Sequence, residues 1–284
     1  MSPSPTALSE EATTRGGYAA TDGARLYVET IGSGPPLVLL HAGICDLTMW
    51  DRQIAALASR YMVVRYDARG FGRSDPARGS YSPREDLLAL FRTTGIDRAH
   101  LVGLSMGGGV ALDMALEYPE RVASLVLGST RPSGLAPSKQ LRDAWDAVDA
   151  AVATGDTAQA VELELQMWID GPGRRPDQVA AEVREQVRTM NSAIFAMPDE
   201  GEPRPLDPPA VERLAAVRAP TLIIVGDQDQ TDVIAGATLL AETIPHARHA
   251  VIPHTAHLPN LEQPEAFNRL VLDFLATVQA DEAD

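Results

Sequence analysis

The stretch His100-Leu101-Val102-Gly103-Leu104-Ser105-Met106-Gly107-Gly108-Gly109 decides the reading of this chain. Its apolar start has the character of a buried strand, and Val110-Ala111-Leu112-Asp113-Met114-Ala115-Leu116 behind it suits a helix. Between the two, G-x-S-x-G makes a strand-to-helix turn so tight that side chains at Gly103 and Gly107 would strike the neighbouring strand and helix. Ser105 then stands at the apex of an elbow, beside a helix N-terminus whose exposed N–H groups favour a developing anion. A serine hydroxyl is a weak nucleophile until a base activates it, so the next question is where a base and its orienting acid could come from.

Working outward, Tyr18 to Glu29 reads as a β-hairpin turning at Asp22-Gly23. Short continuous apolar runs follow at Leu37–Leu40, Met62–Tyr66, Ser124–Gly128, Thr221–Val225 and Arg248–Ile252, the mark of strands buried on both faces. Amphipathic stretches at Met49–Ser59, Pro83–Thr94 and Gly236–Thr243 lie between them. This alternation predicts an α/β fold with a mostly parallel central sheet flanked by helices. Residues 17–130 and 218–278 form that core. Residues 131–217 contain no strand pattern, only helical periodicity at Leu141–Thr154, Thr157–Ile169 and Pro176–Phe195, followed by a loop-like, Pro-rich 197–209. They are expected to form a helical cap inserted between two core strands. Residues 1–16 are expected to be disordered, and 279–284 to be an acidic tail.

In an open parallel sheet, ligands bind beyond the C-terminal strand ends. Four loops at that edge carry chemistry. His41-Ala42-Gly43-Ile44-Cys45 offers the Gly43 N–H, which with the Met106 N–H could form an oxyanion hole. The second loop is the Ser105 elbow. The third, Gly226-Asp227-Gln228-Asp229-Gln230-Thr231-Asp232, supplies three aspartates that compete to orient a histidine. In the fourth, Pro253-His254-Thr255-Ala256-His257, two histidines compete to be the general base for Ser105. The order Ser, Asp, His, each just after a strand, is that of an α/β-hydrolase and not of the chymotrypsin or subtilisin arrangements.

Five segments carry a resemblance to α/β-hydrolase-fold enzymes that spans about Tyr18 to Leu275. They are His41-Ala42-Gly43, Asp67-Ala68-Arg69-Gly70-Phe71-Gly72-Arg73-Ser74-Asp75, Gly103–Gly108, Gly226-Asp227-Gln228-Asp229 and Ala256–Pro264. Within the superfamily the chain most resembles 3-oxoadipate enol-lactonases and their esterase relatives. The resemblance implies that the acid is Asp229 and the base His257. It also implies a serine hydrolase acting through an acyl-enzyme on a carboxylic ester or lactone, with no cofactor and no metal. Carbon–carbon bond hydrolysis, or a cofactor-free perhydrolase or haloperoxidase activity, could run on the same triad. Ser105 at the elbow speaks against the dehalogenase and epoxide hydrolase branches, which use an aspartate there. A non-enzymatic small-molecule sensor is disfavoured by the intact set of Ser105, Asp229 and His257. Ile44 and the cap residues Trp168 and Phe195 are expected to line a pocket for a small to medium, mainly apolar substrate. Arg131 at the cap entrance is expected at the surface, with contact to a substrate carboxylate as the alternative.

The formal net charge of −15 argues against nucleic acid or an anionic membrane as partner, leaving a small-molecule substrate, with homo-oligomerisation open. Cys45 is the sole cysteine, so an intrachain disulfide is excluded and a buried inert thiol expected. The first residues lack a basic segment followed by an apolar one, and no apolar run is long enough to span a bilayer; a cytoplasmic protein is the expectation.

Overall fold

Strand burial sets the architecture. In β6 (Ala99–Leu104), β7 (Val122–Gly128) and β9 (Thr221–Gly226) every residue is buried, as strands covered on both faces must be. Successive side chains alternate between two apolar clusters. Leu101, Leu125, Leu127, Ile223 and Val225 point to one, and Val102, Leu104, Val126, Leu222 and Ile224 to the other. The computed structural model, which describes residues 14–283, thus has a sheet with a separate core on each side.

The sheet has eight strands. β1 (Arg15–Thr21) and β2 (Ala24–Ile31) form the antiparallel hairpin, with Thr21 opposite Ala24 across the Asp22-Gly23 turn. Gly23 has φ +72°, which such a two-residue turn requires. β2 pairs antiparallel with β4 (Met62–Tyr66), and the remaining pairs are parallel. With β3 (Pro36–Leu40) and β10 (Arg248–Ile252), the order is β1-β2-β4-β3-β6-β7-β9-β10. From β3 the chain crosses to one side, to β4; from β6 it crosses to the other, to β7. The reversal lies between the C-terminal ends of β3 and β6, where a crevice opens. The loop after β3 and the Ser105 elbow both emerge there.

α2 (Pro83–Thr94), α3 (Met106–Glu117) and α7 (Thr231–Thr243) pack on one face, and α1 (Asp51–Leu57) and α9 (Pro264–Ala283) on the other. Between β7 and β9 lies the expected helical insertion: α4 (Lys139–Ala153), α5 (Thr157–Glu164) and α6 (Ala181–Phe195). It carries a small apolar cluster of its own built on Leu141, Val148, Ala151, Ala160 and Met167.

Five features depart from expectation. β10, expected to be buried on both faces, is an edge strand with Arg248, His249 and Val251 exposed, since no strand covers its outer side. Asp199–Pro203, within the segment expected to be a loop, forms strand β8, parallel to β5 (Ala77–Tyr81) in a separate two-stranded sheet. Backbone pairing across chain-distant segments leaves no periodic trace in a short polar run. The helix expected from Thr157 continues past Glu164 as a π-helical turn, Leu165–Asp170. β1 starts at Arg15, inside the segment expected to be disordered; residues 1–13 lie outside the described part. α9 runs to Ala283, so no break separates a tail at 279.

Candidate active site

Ser105 occupies the sharp turn between β6 and α3 with φ +52° and ψ −114°, a conformation an L-residue adopts only where its surroundings impose it. Two hydrogen bonds impose it: the Ser105 N–H donates to the Gly128 carbonyl at 2.8 Å and the Gly107 N–H to the His41 carbonyl at 3.1 Å. A Cβ at Gly107 would run into the Leu40 and His41 carbonyls, and one at Gly103 into the backbone of Gly107. Both glycines of the motif are therefore sterically required, as the sequence suggested.

The competition among aspartates and histidines resolves through geometry. His257 Nε2 lies 2.8 Å from Ser105 Oγ, while its Nδ1 lies 2.9 and 3.0 Å from the two carboxylate oxygens of Asp229. Asp229 is buried, and its Oδ1 also accepts the Gln230 N–H at 2.7 Å. Asp227 instead accepts the backbone N–H of His254 at 2.6 Å, bracing the exposed turn where His254 has φ +62°. Asp232 accepts the Ser138 N–H at 2.6 Å at the start of α4. Each rival thus has a structural task outside the Ser105 cluster.

Gly43 closes the other side of the elbow. A Cβ placed on it would lie 3.6 Å from the Met106 side chain, so the loop after β3 runs directly against the first residue of α3. Met106, as that first residue, has a backbone N–H without an acceptor inside the helix. The loop is fixed by His41, which is buried: its Nε2 accepts the Ala68 N–H at 2.9 Å, and Nδ1, 2.8 Å from the Ala42 carbonyl, donates to it. Burial pushes the His41 pKa down, which keeps the ring neutral in this role. Cys45 is buried in the core, and desolvation pushes its thiol well above the usual range, so it is inert.

Two adjoining cavities meet at Ser105, His257, Trp145 and Trp168. One is lined also by Met106, Ser129 and Arg131; the other by Gly43, Ile44 and Glu164. Trp168 projects from the π-helical turn and lays its ring on that of His257, centroids 4.3 Å apart, while its carbonyl accepts the His257 N–H at 3.2 Å. π-helical turns are frequent at functional positions, and here the turn delivers both contacts. Ile44 and Trp168 both line the cavity on the Glu164 side. Phe195 does not line these two cavities; it packs against apolar side chains within the insertion.

The sequence reading missed the polar character of the lining. Three buried side-chain atoms around the two cavities have no hydrogen-bond partner: Ser129 Oγ, Arg131 Nε and Glu164 Oε2. Arg131, expected at the surface, is largely buried, and burial lowers its pKa against the opposing pull of Asp232. Burial drives the Glu164 carboxyl up to about 7, with the Trp168 hydrogen bond and the proximity of His257 pulling the other way. Glu164 carried a readable signal. It lies four residues before Trp168 and three after Val161, on the apolar stripe of its helix, whereas Glu162 points outward to Arg184 and Arg188.

Comparison with known proteins agrees with this fold. The chain is 30% identical over 251 residues to 3-oxoadipate enol-lactonase 1 of Acinetobacter baylyi, covering 87% of this chain and 91% of that protein. It is also 30% identical over 260 residues to a pimeloyl-[acyl-carrier protein] methyl ester esterase of Aeromonas hydrophila, covering 87% of this chain and 98% of the relative. The crystal structure of the enol-lactonase from Burkholderia xenovorans superposes with a TM-score of 0.74 at 28% identity, covering 92% of this chain and 100% of that one. The model of the alpha/beta hydrolase fold family matches residues 35–264, and the chain belongs to that family.

Proposed function

We propose that this protein is a serine hydrolase that cleaves a carboxylic ester or lactone through an acyl-enzyme. One observation carries the reading: His257 Nε2 lies within hydrogen-bond distance of Ser105 Oγ while Asp229 holds the opposite ring nitrogen. In that arrangement His257 takes the Ser105 proton as Oγ attacks the carbonyl carbon. The imidazolium that forms is stabilised by the buried Asp229 carboxylate. The carbonyl oxygen, now negative, is received by the amides of Gly43 and Met106, each worth about 3 to 4 kcal/mol in such a hole. His257 then gives the proton to the leaving alkoxide, and the alcohol departs; in a lactone it stays tethered to the acyl group. Water, deprotonated by His257, attacks the acyl-enzyme, and collapse of the second tetrahedral intermediate returns Ser105 and releases the acid. Each proton removed is returned, so the cycle needs no cofactor.

The substrate class is supported by relatives named as enol-lactonase and methyl ester esterase. Ile44, Trp145 and Trp168 offer apolar walls for an acyl or alcohol arm of small to medium size, and the free Arg131 Nε and Ser129 Oγ offer a polar end. The test is turnover of p-nitrophenyl acetate. Wild type should show a burst of p-nitrophenol equal to the enzyme concentration followed by steady hydrolysis, and Ser105→Ala should show neither. Equal rates from both proteins would overturn the mechanism.

A further inference from the structure

Among the described residues, Glu164 is a carboxyl with no arginine or lysine partner at the wall of the Ser105 chamber, His257 being the basic side chain that shares its cavity. Its Oε2 is out of solvent and has no hydrogen-bond partner. The side chains that share its cavity are Ile44, Ser105, Trp145, Trp168 and His257, none of which is an arginine or lysine. The nearby charged side chain on α4 is Asp149, which has the same sign and adds to the deficit. Two acids of the insertion close by in the chain are matched: Asp170 takes two bonds from Arg184, at 2.7 and 2.8 Å, and Glu162 is shared between Arg184 and Arg188.

Resting on the ester-hydrolase reading, we propose that Glu164, Trp145 and Trp168 form a subsite for a positively charged nitrogen carried on the acyl or alcohol arm of the substrate. A desolvated carboxylate gains most from a partner that brings a full positive charge, because the low local dielectric strengthens the attraction. Indole rings attract cations in addition, and two tryptophans line this chamber. An alkylammonium group satisfies all three side chains at once; a neutral hydroxyl would satisfy Oε2 but make no use of the rings. Burial raises the Glu164 pKa, and the Trp168 hydrogen bond and the nearby His257 offset it only in part, which is the same deficit. Arg131 lines the adjoining cavity, so the cationic arm would enter the Glu164 side and not the other.

The subsite separates isosteres that differ only in charge. Acetylcholine is compared with 3,3-dimethylbutyl acetate for the alcohol arm. For the acyl arm, the p-nitrophenyl ester of 4-(trimethylammonio)butanoate is compared with that of 5,5-dimethylhexanoate. The ratio of kcat/KM is taken within each protein, so a general loss of activity in a variant cancels. Wild type should favour the cationic member of at least one pair by about tenfold, a preference expected of a carboxylate with aromatic walls. Glu164→Gln, which keeps the shape and removes the charge, should reduce that ratio to within about twofold of unity. Equal or inverted preference in wild type for both pairs, or a preference unchanged in Glu164→Gln, would overturn the subsite. Failure of the hydrolase reading is distinguished by p-nitrophenyl acetate, which no variant able to form the acyl-enzyme should spare. In that event, binding of choline to Ser105→Ala, followed by indole fluorescence against 3,3-dimethylbutan-1-ol, still decides whether a cation is held.

Discussion

Arg174 and Glu262 form a buried, two-pronged ion pair that fastens the helical insertion to the loop carrying His257. Arg174 Nη1 and Nη2 lie 2.6 and 3.2 Å from the two carboxylate oxygens, and both side chains are about 10% exposed. The same guanidinium donates to the carbonyls of Asp170 at 2.8 Å, Ile169 at 2.6 Å and His254 at 3.0 Å. Glu262 in turn accepts the N–H of Ala256, the residue before His257, at 2.7 Å. One pair therefore sets the end of the Trp168 turn and the height of the His257 ring together.

Arg174→Met should cost about 3 to 5 kcal/mol, because a buried carboxylate is left without its partner. Urea unfolding measures this, and the double variant Arg174→Met/Glu262→Leu should recover part of the loss. If the single and double variants are equally unstable, the pair is not the element that holds the two segments.

The elbow gives a sharper contrast between neighbouring glycines. A Cβ at Gly107 meets backbone carbonyls that cannot move aside, while one at Gly109 meets nothing within 4 Å. Gly107→Ala should therefore reduce folding yield and activity together. Gly109→Ala should leave both intact and gain up to about 1 kcal/mol from helix propensity. Thermal melts and p-nitrophenyl acetate rates on the two variants check the pair. A tolerated Gly107→Ala would mean that the turn is looser than its contacts require.

Much of this arrangement was legible in the chain because strand burial and elbow sterics leave local marks. The apolar runs at Leu37–Leu40, Thr221–Val225 and around Leu101 and Leu125 are buried on both faces, and such strands cannot alternate with polar residues. Choosing Asp229 over Asp227 and Asp232 was a different matter. All three lie within six residues, so spacing alone does not tell them apart; the family resemblance pointed to Asp229, and the placement of His257, His254 and Ser138 shows the partner of each. Glu164 was legible from the apolar stripe of its helix and was overlooked, whereas Arg174 left no such mark: a charged residue in a helical insertion looks solvated until the partner segment is known. Arg174 meets a residue 88 positions away, and no spacing rule reaches that far.

Trp168 offers a test of whether the insertion shapes the position of His257 as well as the chamber. Its ring covers His257 at a centroid distance of 4.3 Å, and its indole hydrogen-bonds Glu164. Trp168→Leu should lower kcat for a small acetyl ester by about tenfold or more, since small displacements of a general base are costly. Trp168→Phe keeps a ring over the imidazole and should retain most of kcat. An equal fall in both variants would point to the indole N–H and not to the stacked ring.

Glu164 also leaves a signature in the pH dependence of stability. Its carboxyl titrates near 7 in the folded protein, against 4.5 for an unperturbed glutamate. Between those values the folded chain holds a proton that the unfolded chain releases. The contribution to stability is thus fully present below about 4.5 and is lost as pH rises through 7. Asp67 and Asp113, each raised to about 6 by burial, act with the same sign but are common to wild type and variant. Glu164→Gln removes this one titration while keeping the side chain's volume. The melting temperature of the variant should match wild type near pH 5 and exceed it at pH 8.5, where wild type must keep an unpaired carboxylate in the chamber. Differential scanning fluorimetry at the two pH values measures the gap. A variant less stable than wild type at pH 8.5 would show that the ionised carboxylate is already well solvated, and the chamber would then lack the electrostatic deficit on which cation binding depends.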